Sequence, residues 1–283
     1  MGNGIAHVFA INGFEVMLFD INEKALAKSI INIEKNINRQ INKELLTPDA
    51  GRSSLERIQL VSNLEQAVTS ADIVIEAATE NESLKLQIFS SLSTLVSKET
   101  ILATNTSSIS IGKIAAVTKH PENVIGMHFM NPVPVMKLVE IISGYKTSEK
   151  TTAAITQLSK KLGKTPVACN DYPGFVANRI LMPMINEAIE SLQNGVAGVS
   201  EIDSIMKLGM GHPMGPLQLA DFIGLDVCLS ILNVMNQGYG NPKYSPNPVL
   251  INLVTSGDLG VKSGKGFYDY SNGIKNPTVA YKA

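Results

Sequence analysis

The sequence predicts an α/β fold, in which a doubly wound sheet is followed by a smaller, all-helical domain. Up to about residue 170, short apolar runs alternate with helical patterns, as in βαβ units that cover both faces of a sheet with helices. The runs are continuously apolar, which is typical of strands buried on both faces. Beyond residue 170 helical periodicity continues without convincing strands. These observations assign residues 1–170 to the sheet domain and residues 171–283 to the helical domain.

Six apolar runs are the predicted strands of the first domain. They are EVMLFD (15–20), ADIVIEAA (71–78), TILATNT (100–106), VIGMHF (124–129), MKLVEII (136–142) and TPVACN (165–170). Helices are predicted between them at about 23–46, 82–97 and 149–163. The connection NPVPV is too short for a crossover, so VIGMHF and MKLVEII are predicted to pair antiparallel.

The second domain is predicted from three helical stretches, residues 175–208, 216–237 and 247–256. Gly, Pro and Asn cluster between these stretches, at 209–216 and 238–248. Such clusters mark loops. A compact helical domain is therefore expected after the segment NDYPG.

Composition excludes several classes of partner. The 283 residues carry a net charge of −1, which gives no field that attracts nucleic acid or an anionic membrane. No apolar run reaches the roughly 18 residues of a membrane helix, and the first residues lack the basic start of a signal peptide. Cys169 and Cys228 lie in apolar surroundings, which favours buried free thiols over a disulfide. We therefore expect a cytoplasmic protein.

Residues 2–13 are predicted to be the opening helix of a Rossmann-type dinucleotide domain. Gly2, Gly4 and Ala6 would let this helix pack close to a strand. Asp20 ends the next predicted strand, about 20 residues beyond a glycine-rich turn. An acidic side chain there binds ribose hydroxyls and disfavours a 2′-phosphate, which indicates NAD over NADP. The alternative for Asp20 is a helix cap or a turn residue.

The glycine-rich fingerprint is incomplete in this sequence. Its full form is strand–GxGxxG–helix, and only the last glycine, Gly2, is present. We therefore expect an apolar strand and a G-x-G-x turn to belong before Gly2, with Met1 an internal methionine. Because that strand lies mid-sheet, we expect the chain as given to be less stable and to bind NAD less well than an extended one.

Two further polar segments follow buried strands, where ligands bind in α/β sheets. Glu80 and Lys85 come after ADIVIEAA, and Ser107 and Ser108 come after TILATNT. The first pair is predicted to face the cofactor, with the alternative that Glu80 caps a helix and Lys85 is a surface lysine. Either serine is a candidate to bind a substrate oxygen, with helix capping as the alternative.

One of the four histidines has a catalytic setting. His128 ends the strand VIGMHF, and His128 and Glu140 are equidistant from Pro134 near the middle of the turn, so they face one another in an antiparallel pair. A carboxylate orients an imidazole and stabilises its charged form, which suits removal of a hydroxyl proton during hydride transfer. The alternative is a purely structural pair. The remaining histidines are predicted to be structural or surface residues: His7, His120 and His212.

The sequence resembles the 3-hydroxyacyl-CoA dehydrogenase family over its whole length. The segments that carry the resemblance are ATNTSS, HFMNPVPVMKLVEI, DYPGFVANRILMPMINEA, GMGHPMGPLQLADFIGLD and GKGFYDY. HFMNP followed at this spacing by PGF-x-x-NR is specific. The resemblance implies reversible, NAD-dependent oxidation of an (S)-3-hydroxyacyl-CoA to the 3-oxoacyl-CoA. The chain length and the absence of a fused hydratase region favour a 3-hydroxybutyryl-CoA substrate.

The resemblance also implies roles for individual residues. His128 would be the general base and Glu140 its partner, while Ser107, Asn131 and Asn178 would hold substrate and cofactor. The residues implied to contact NAD are Gly2, Asp20, Glu80, Lys85, Asn105, Asn131 and Lys262. Lys43 would meet the CoA phosphates, and Arg179 has the alternative of tying the domains together. A homodimer through the helical domain is implied, and no metal.

Two rival functions remain open from the sequence. A dehydrogenase of a free hydroxy acid shares the dinucleotide domain but has no reason to carry HFMNP and PGF-x-x-NR. A catalytically silent relative keeps the fold; the paired His128 and Glu140 argue against it, and the incomplete fingerprint argues for it. Consumption of NADH that depends on acetoacetyl-CoA separates all three.

Overall fold

A computed structural model describes residues 1–271 and 276–279. The chain divides into two compact units, Met1–Tyr172 and Pro173–Ala283. The first unit contains a sheet with helices, and the second is built mainly from helices. The predicted fold class is confirmed.

The first unit contains seven strands. They are β1 (Val16–Phe19), β2 (Ile58–Val61), β3 (Ile73–Glu76), β4 (Ile101–Thr104), β5 (Val124–Phe129), β6 (Leu138–Ser143) and β7 (Thr165–Asn170). A five-stranded sheet has the order β3-β4-β5-β6-β7, and β1 and β2 form a separate parallel pair. Within the larger sheet only β5 and β6 run antiparallel. Each predicted run contains a strand, and the antiparallel pair is confirmed.

The strands of the first unit differ in burial. Every residue of β5 is buried, whereas β1 has no fully buried residue and β3 has only Glu76. In the described part of the chain, β1 pairs only with β2 and β3 only with β4. The expected strand before Gly2 stays a prediction.

Seven α-helices belong to the first unit. They are α1 (Gly2–Ile11), α2 (Glu23–Asn42), α3 (Pro48–Glu56), α4 (Leu64–Val68), α5 (Glu82–Leu95), α6 (Ile111–Ala116) and α7 (Glu149–Lys161). Most begin after a side-chain cap, such as Asn22 before α2 and Ser148 before α7, because Asn and Ser oxygens satisfy the first amides. The apolar side of α1 packs on the strands through Ile5, Val8 and Phe9.

Five helices form most of the second unit: α8 (Ala177–Gln193), α9 (Val199–Met210), α10 (Pro216–Ile223), α11 (Leu225–Tyr239) and α12 (Pro248–Thr255). Two predicted helices are each interrupted by a glycine, Gly195 in one and Gly224 in the other. These glycines have φ angles of 72° and 104°, which lie outside the helical range and which glycine adopts most easily. The prediction of an all-helical domain is wrong in one detail. The two-residue strands β8 (Tyr268–Asp269) and β9 (Asn276–Pro277) pair antiparallel.

Both cysteines are free, as predicted. Cys228 is buried, but Cys169 is only half-buried because it lies on β7, an edge strand of the five-stranded sheet. The prediction that both thiols are buried is therefore wrong for Cys169. Within the described ranges, no single helix is long and apolar enough to cross a membrane; α10 and α11 meet that test only together, across a 96° bend.

Candidate active site

The centre of the site is a buried imidazole–carboxylate pair. His128 on β5 is directly opposite Glu140 on β6, with 2.8 Å between Nδ1 and a carboxylate oxygen. The two residues are 8% and 4% exposed. Because a carboxylate only accepts hydrogen bonds, Nδ1 carries the proton and Nε2 carries the lone pair. The predicted contact is confirmed, and its geometry suits a base that acts through Nε2.

Asn105 connects the end of β4 to the strand that bears His128. Its side-chain oxygen accepts a hydrogen bond from the amide of Phe129, 2.9 Å away. The backbone N–H of Asn105 donates to the carbonyl of Glu76 at the end of β3. The residue therefore fixes three strand ends at one edge of the sheet, next to the pair formed by His128 and Glu140.

The loop after β4 is organised around one carboxylate oxygen of Glu80. That oxygen accepts from the Thr106 hydroxyl at 2.6 Å, from both the amide and hydroxyl of Ser107, and from both the amide and hydroxyl of Ser108. The capping alternatives are wrong, because Asn81 caps α5 and Ser110 caps α6. Glu80 thus holds the candidate residue Ser107 in place.

The buried ammonium of Lys85 lies next to the Glu80 carboxylate. Its side chain is 1% exposed, and its Nζ lies 2.7 Å from Glu76 and 3.5 Å from Glu80. The alternative of a surface lysine is therefore wrong. Burial alone would raise the pKa of the Glu80 carboxyl, but the Thr106 hydroxyl and the Lys85 charge outweigh it and lower that pKa. Glu80 consequently stays ionised and keeps accepting hydrogen bonds.

Helix α1 begins at the same edge of the sheet. A Cβ added to Gly2 would lie 3.9 Å from Cβ of Ala77, the residue after β3. The first turn of α1 has no side-chain cap and no acidic residue, so its amides and positive dipole suit an anionic diphosphate. Asp20 follows β1 and accepts from the amide of Asn22 at 2.8 Å. It is a turn residue, as one alternative held, and Asn22 is the cap. These residues fit a dinucleotide.

The other candidate residues lie on both units of the chain. Asn131 is exposed at the start of the turn after β5, and Lys43 is exposed at the end of α2. Asn178 lies on α8 of the second unit and is 9% exposed. In the same unit the Lys262 ammonium pairs with Asp226, and the Arg179 guanidinium lies 4.6 Å from the centre of the Tyr239 ring. The first unit therefore brings together the residues around His128, Ser107 and Gly2.

Two residues of this region were not predicted. Glu76 ends β3 and accepts from Lys85 and, at 2.8 Å, from the Thr104 hydroxyl. Lys164 precedes β7 and donates to carbonyls of the turn after β5. An acidic residue that ends an apolar run is a signal that would have identified Glu76. No local pattern marks Lys164.

Comparisons with known proteins agree with this geometry. The family model "3-hydroxyacyl-CoA dehydrogenase, NAD binding domain" matches residues 1–172, and "3-hydroxyacyl-CoA dehydrogenase, C-terminal domain" matches residues 174–270. The chain is 53% identical over 270 residues to a Bacillus subtilis protein named "Probable 3-hydroxybutyryl-CoA dehydrogenase", covering 95% of this chain and 94% of that protein. It is 48% identical over 278 residues to the Bradyrhizobium diazoefficiens 3-hydroxybutyryl-CoA dehydrogenase, covering 98% and 94%.

A solved structure is similar throughout. The (S)-3-hydroxybutyryl-CoA dehydrogenase of Ralstonia eutropha superposes with a TM-score of 0.92 at 48% sequence identity. The superposition covers 96% of this chain and 96% of that one. The likeness therefore extends over both units.

Proposed function

Since the chain belongs to the 3-hydroxyacyl-CoA dehydrogenase family and is an NAD-dependent oxidoreductase, we propose that its substrate is (S)-3-hydroxybutyryl-CoA. Oxidation gives acetoacetyl-CoA, and reduction of acetoacetyl-CoA is the same step reversed. The names of similar proteins support the four-carbon acyl group. The buried pair of His128 and Glu140, 2.8 Å apart, is the observation that carries the mechanism.

His128 is the proposed general base. Its Nε2 accepts the proton of the substrate hydroxyl while the carbon–oxygen double bond forms. When bound, NAD would supply the acceptor for the hydride of the same carbon. Glu140 holds the ring through Nδ1 and stabilises the imidazolium that results. In the reverse direction the imidazolium returns the proton to the carbonyl oxygen.

The other candidates are proposed to position the reactants. Ser107, on the loop that Glu80 fixes, and Asn178 would bind the substrate near its reacting oxygen. Lys43 would attract the CoA phosphates. The residues proposed to hold NAD are Gly2, Asp20, Glu80, Lys85, Asn105, Asn131 and Lys262. The Lys85 ammonium would act mainly through Glu80, because it is buried.

We also propose a cytoplasmic homodimer that associates through the helical unit. Large apolar side chains are exposed on α8, α9 and α10: Ile180, Ile205, Leu208, Met210 and Phe222. Exposed apolar surface of this kind marks interaction sites, and the two free thiols suit a reducing compartment. Light scattering of the wild type and of Leu208→Lys tests the interface. A monomeric wild type would rule it out.

The function is tested by following NADH in the presence of acetoacetyl-CoA. We expect NADH consumption with acetoacetyl-CoA, little with free acetoacetate, and slower turnover with longer 3-oxoacyl-CoA substrates. Equal use of free acetoacetate would support the hydroxy-acid rival. No consumption with any thioester, by protein that binds NADH, would support the catalytically silent rival.

A further inference from the structure

Lys164 fastens the turn between β5 and β6. It stands between α7 and β7, and its Nζ donates to the carbonyl of Met136 at 2.8 Å and to the carbonyl of Val133 at a shorter distance. The residue is 9% exposed. Both acceptors lie in residues 131–136, which follow the strand that bears His128. One buried ammonium thus holds two points of this turn.

The partners of this ammonium are neutral. None of the ion pairs formed by the described residues includes Lys164. Burying an unpaired charge is unfavourable unless hydrogen bonds replace those to water, and burial lowers the pKa of Lys164. An apolar side chain would fill the space without that desolvation cost. We therefore attribute the role of this ammonium to its hydrogen bonds with the two carbonyls of the turn.

The opposite side of the turn packs against α1. Val133 is 2% exposed and belongs to the apolar cluster that contains Ile5 and Val8. A Cβ added to Gly4 would lie only 3.0 Å from Cβ of Val133. The turn is thus held on two sides. Lys164 binds the carbonyls of Val133 and Met136, and α1 packs against the Val133 side chain. Its first residue, Asn131, is exposed.

We propose that Lys164 is a positioning residue for the dinucleotide. By fastening the 131–136 turn it holds Asn131 at a fixed place relative to the first turn of α1, so that both meet NAD in one geometry. This inference rests on the cofactor roles proposed for Asn131 and Gly2 and is independent of which acyl-CoA is the substrate.

NADH binding to folded protein tests the inference. We expect Lys164→Met to weaken NADH binding about 10-fold, since misplaced supporting contacts have effects of this order. Lys164→Arg keeps the charge and donors and should recover most of the affinity. Lys161→Met, an exposed lysine at the end of α7, is the matched control and should bind like the wild type. Fluorescence titration well below each melting temperature gives the dissociation constants.

A double-mutant cycle separates positioning from simple stabilisation. If Lys164 acts through Asn131, Asn131→Ala and Lys164→Met together should weaken NADH binding less than the product of their single effects. The KM for NADH should rise while the KM for acetoacetyl-CoA stays within about 2-fold. Should Lys164→Met not fold, Lys164→Gln replaces it in the same measurements.

Two results would overturn the inference. The first is a folded Lys164→Met or Lys164→Gln variant that binds NADH as tightly as the wild type. The second is full additivity with Asn131→Ala. Because these measurements need only NADH, inactivity towards acetoacetyl-CoA would count against the proposed substrate and not against Lys164.

Discussion

Two buried carboxylates, one in each unit, serve different ends. Glu140 is 4% exposed and Asp221 is 1% exposed. Glu140 is hydrogen-bonded to the ring of His128, the proposed general base. Asp221 accepts from the amides of Phe267 and Tyr268 at 2.9 Å and from the Tyr270 hydroxyl at 3.0 Å. Burial does not distinguish the carboxylate that we propose for catalysis from the structural one; their hydrogen-bond partners do.

The surroundings of Asp221 explain a sequence motif. A Cβ added to Gly260 or Gly266 would lie within 2.2 Å of Asp221 atoms, so only glycine allows the chain to approach this closely. Nearby, Asp203 accepts from the Tyr268 hydroxyl at 2.8 Å. The segment GKGFYDY is thus fastened to α9 and α10 by two aspartates. In this unit, the motif typical of the family serves the fold.

The largest expected effect is on turnover, at His128. His128→Gln keeps a polar side chain but cannot take a proton at neutral pH, so kcat should fall at least about 10²-fold. Acyl-CoA binding and the melting temperature should change little. Steady-state kinetics measure kcat, and calorimetry measures acyl-CoA binding and the melting temperature. Near-normal turnover in this variant would remove His128 from the mechanism.

Asp221→Ala should instead affect stability. It leaves two buried amides and a hydroxyl without their acceptor, and at about 1–3 kcal/mol for each group we expect a loss of at least about 3 kcal/mol in the free energy of unfolding. The kcat of the folded protein should stay unchanged. Asp49→Ala, at a carboxylate that is 91% exposed, is the control and should alter stability by less than about 0.5 kcal/mol. A large fall in kcat for folded Asp221→Ala would erase the contrast with Glu140.

The pH dependence of stability gives a smaller test of the same carboxylate. Burial raises the pKa of Asp221 from 3.8 to about 6, so the folded state holds the proton more tightly than the unfolded state. The stability from this group is therefore fully present below about pH 4 and is lost as the pH rises through 6. Between pH 5 and pH 7 the wild type should lose about 1 kcal/mol more than Asp221→Asn. Denaturant unfolding at several pH values measures this, and parallel profiles would contradict it.

The sequence predicted those parts of the fold that local patterns encode. The longer apolar runs were found, but β2 was missed because IQLV is short and interrupted by Gln59. Helices α3, α4 and α6 were missed because they have only five to nine residues. Such helices are fixed by packing: a Cβ on Gly51 of α3 would meet Ile41 of α2 at 2.8 Å. That contact has no local signature.

In the site, too, contacts that follow from a local pattern were predictable and contacts between distant segments were not. The pairing of His128 with Glu140 was predictable because an antiparallel turn places equidistant residues opposite one another. The bonds of Glu80 to the loop after β4 join residues 26 to 28 positions apart, and Lys164 meets its turn across 28 to 31 positions. Parallel connections and helices intervene, so no spacing rule relates these groups. Their roles emerge only from the folded chain.

The smallest expected effect concerns a third carboxylate, Asp20, which is only partly buried and accepts from the Asn22 amide. If the partner defines the role, this side chain should matter only when a cofactor supplies ribose hydroxyls. Asp20→Ala should lower kcat/KM for NADH about 5-fold, the worth of one hydrogen bond, and leave kcat and the unfolding free energy nearly unchanged. Discrimination against NADPH should weaken, because a carboxylate repels the 2′-phosphate. Kinetics with both cofactors measure this. Equal kcat/KM for NADH and NADPH in the wild type would show that Asp20 does not select the cofactor.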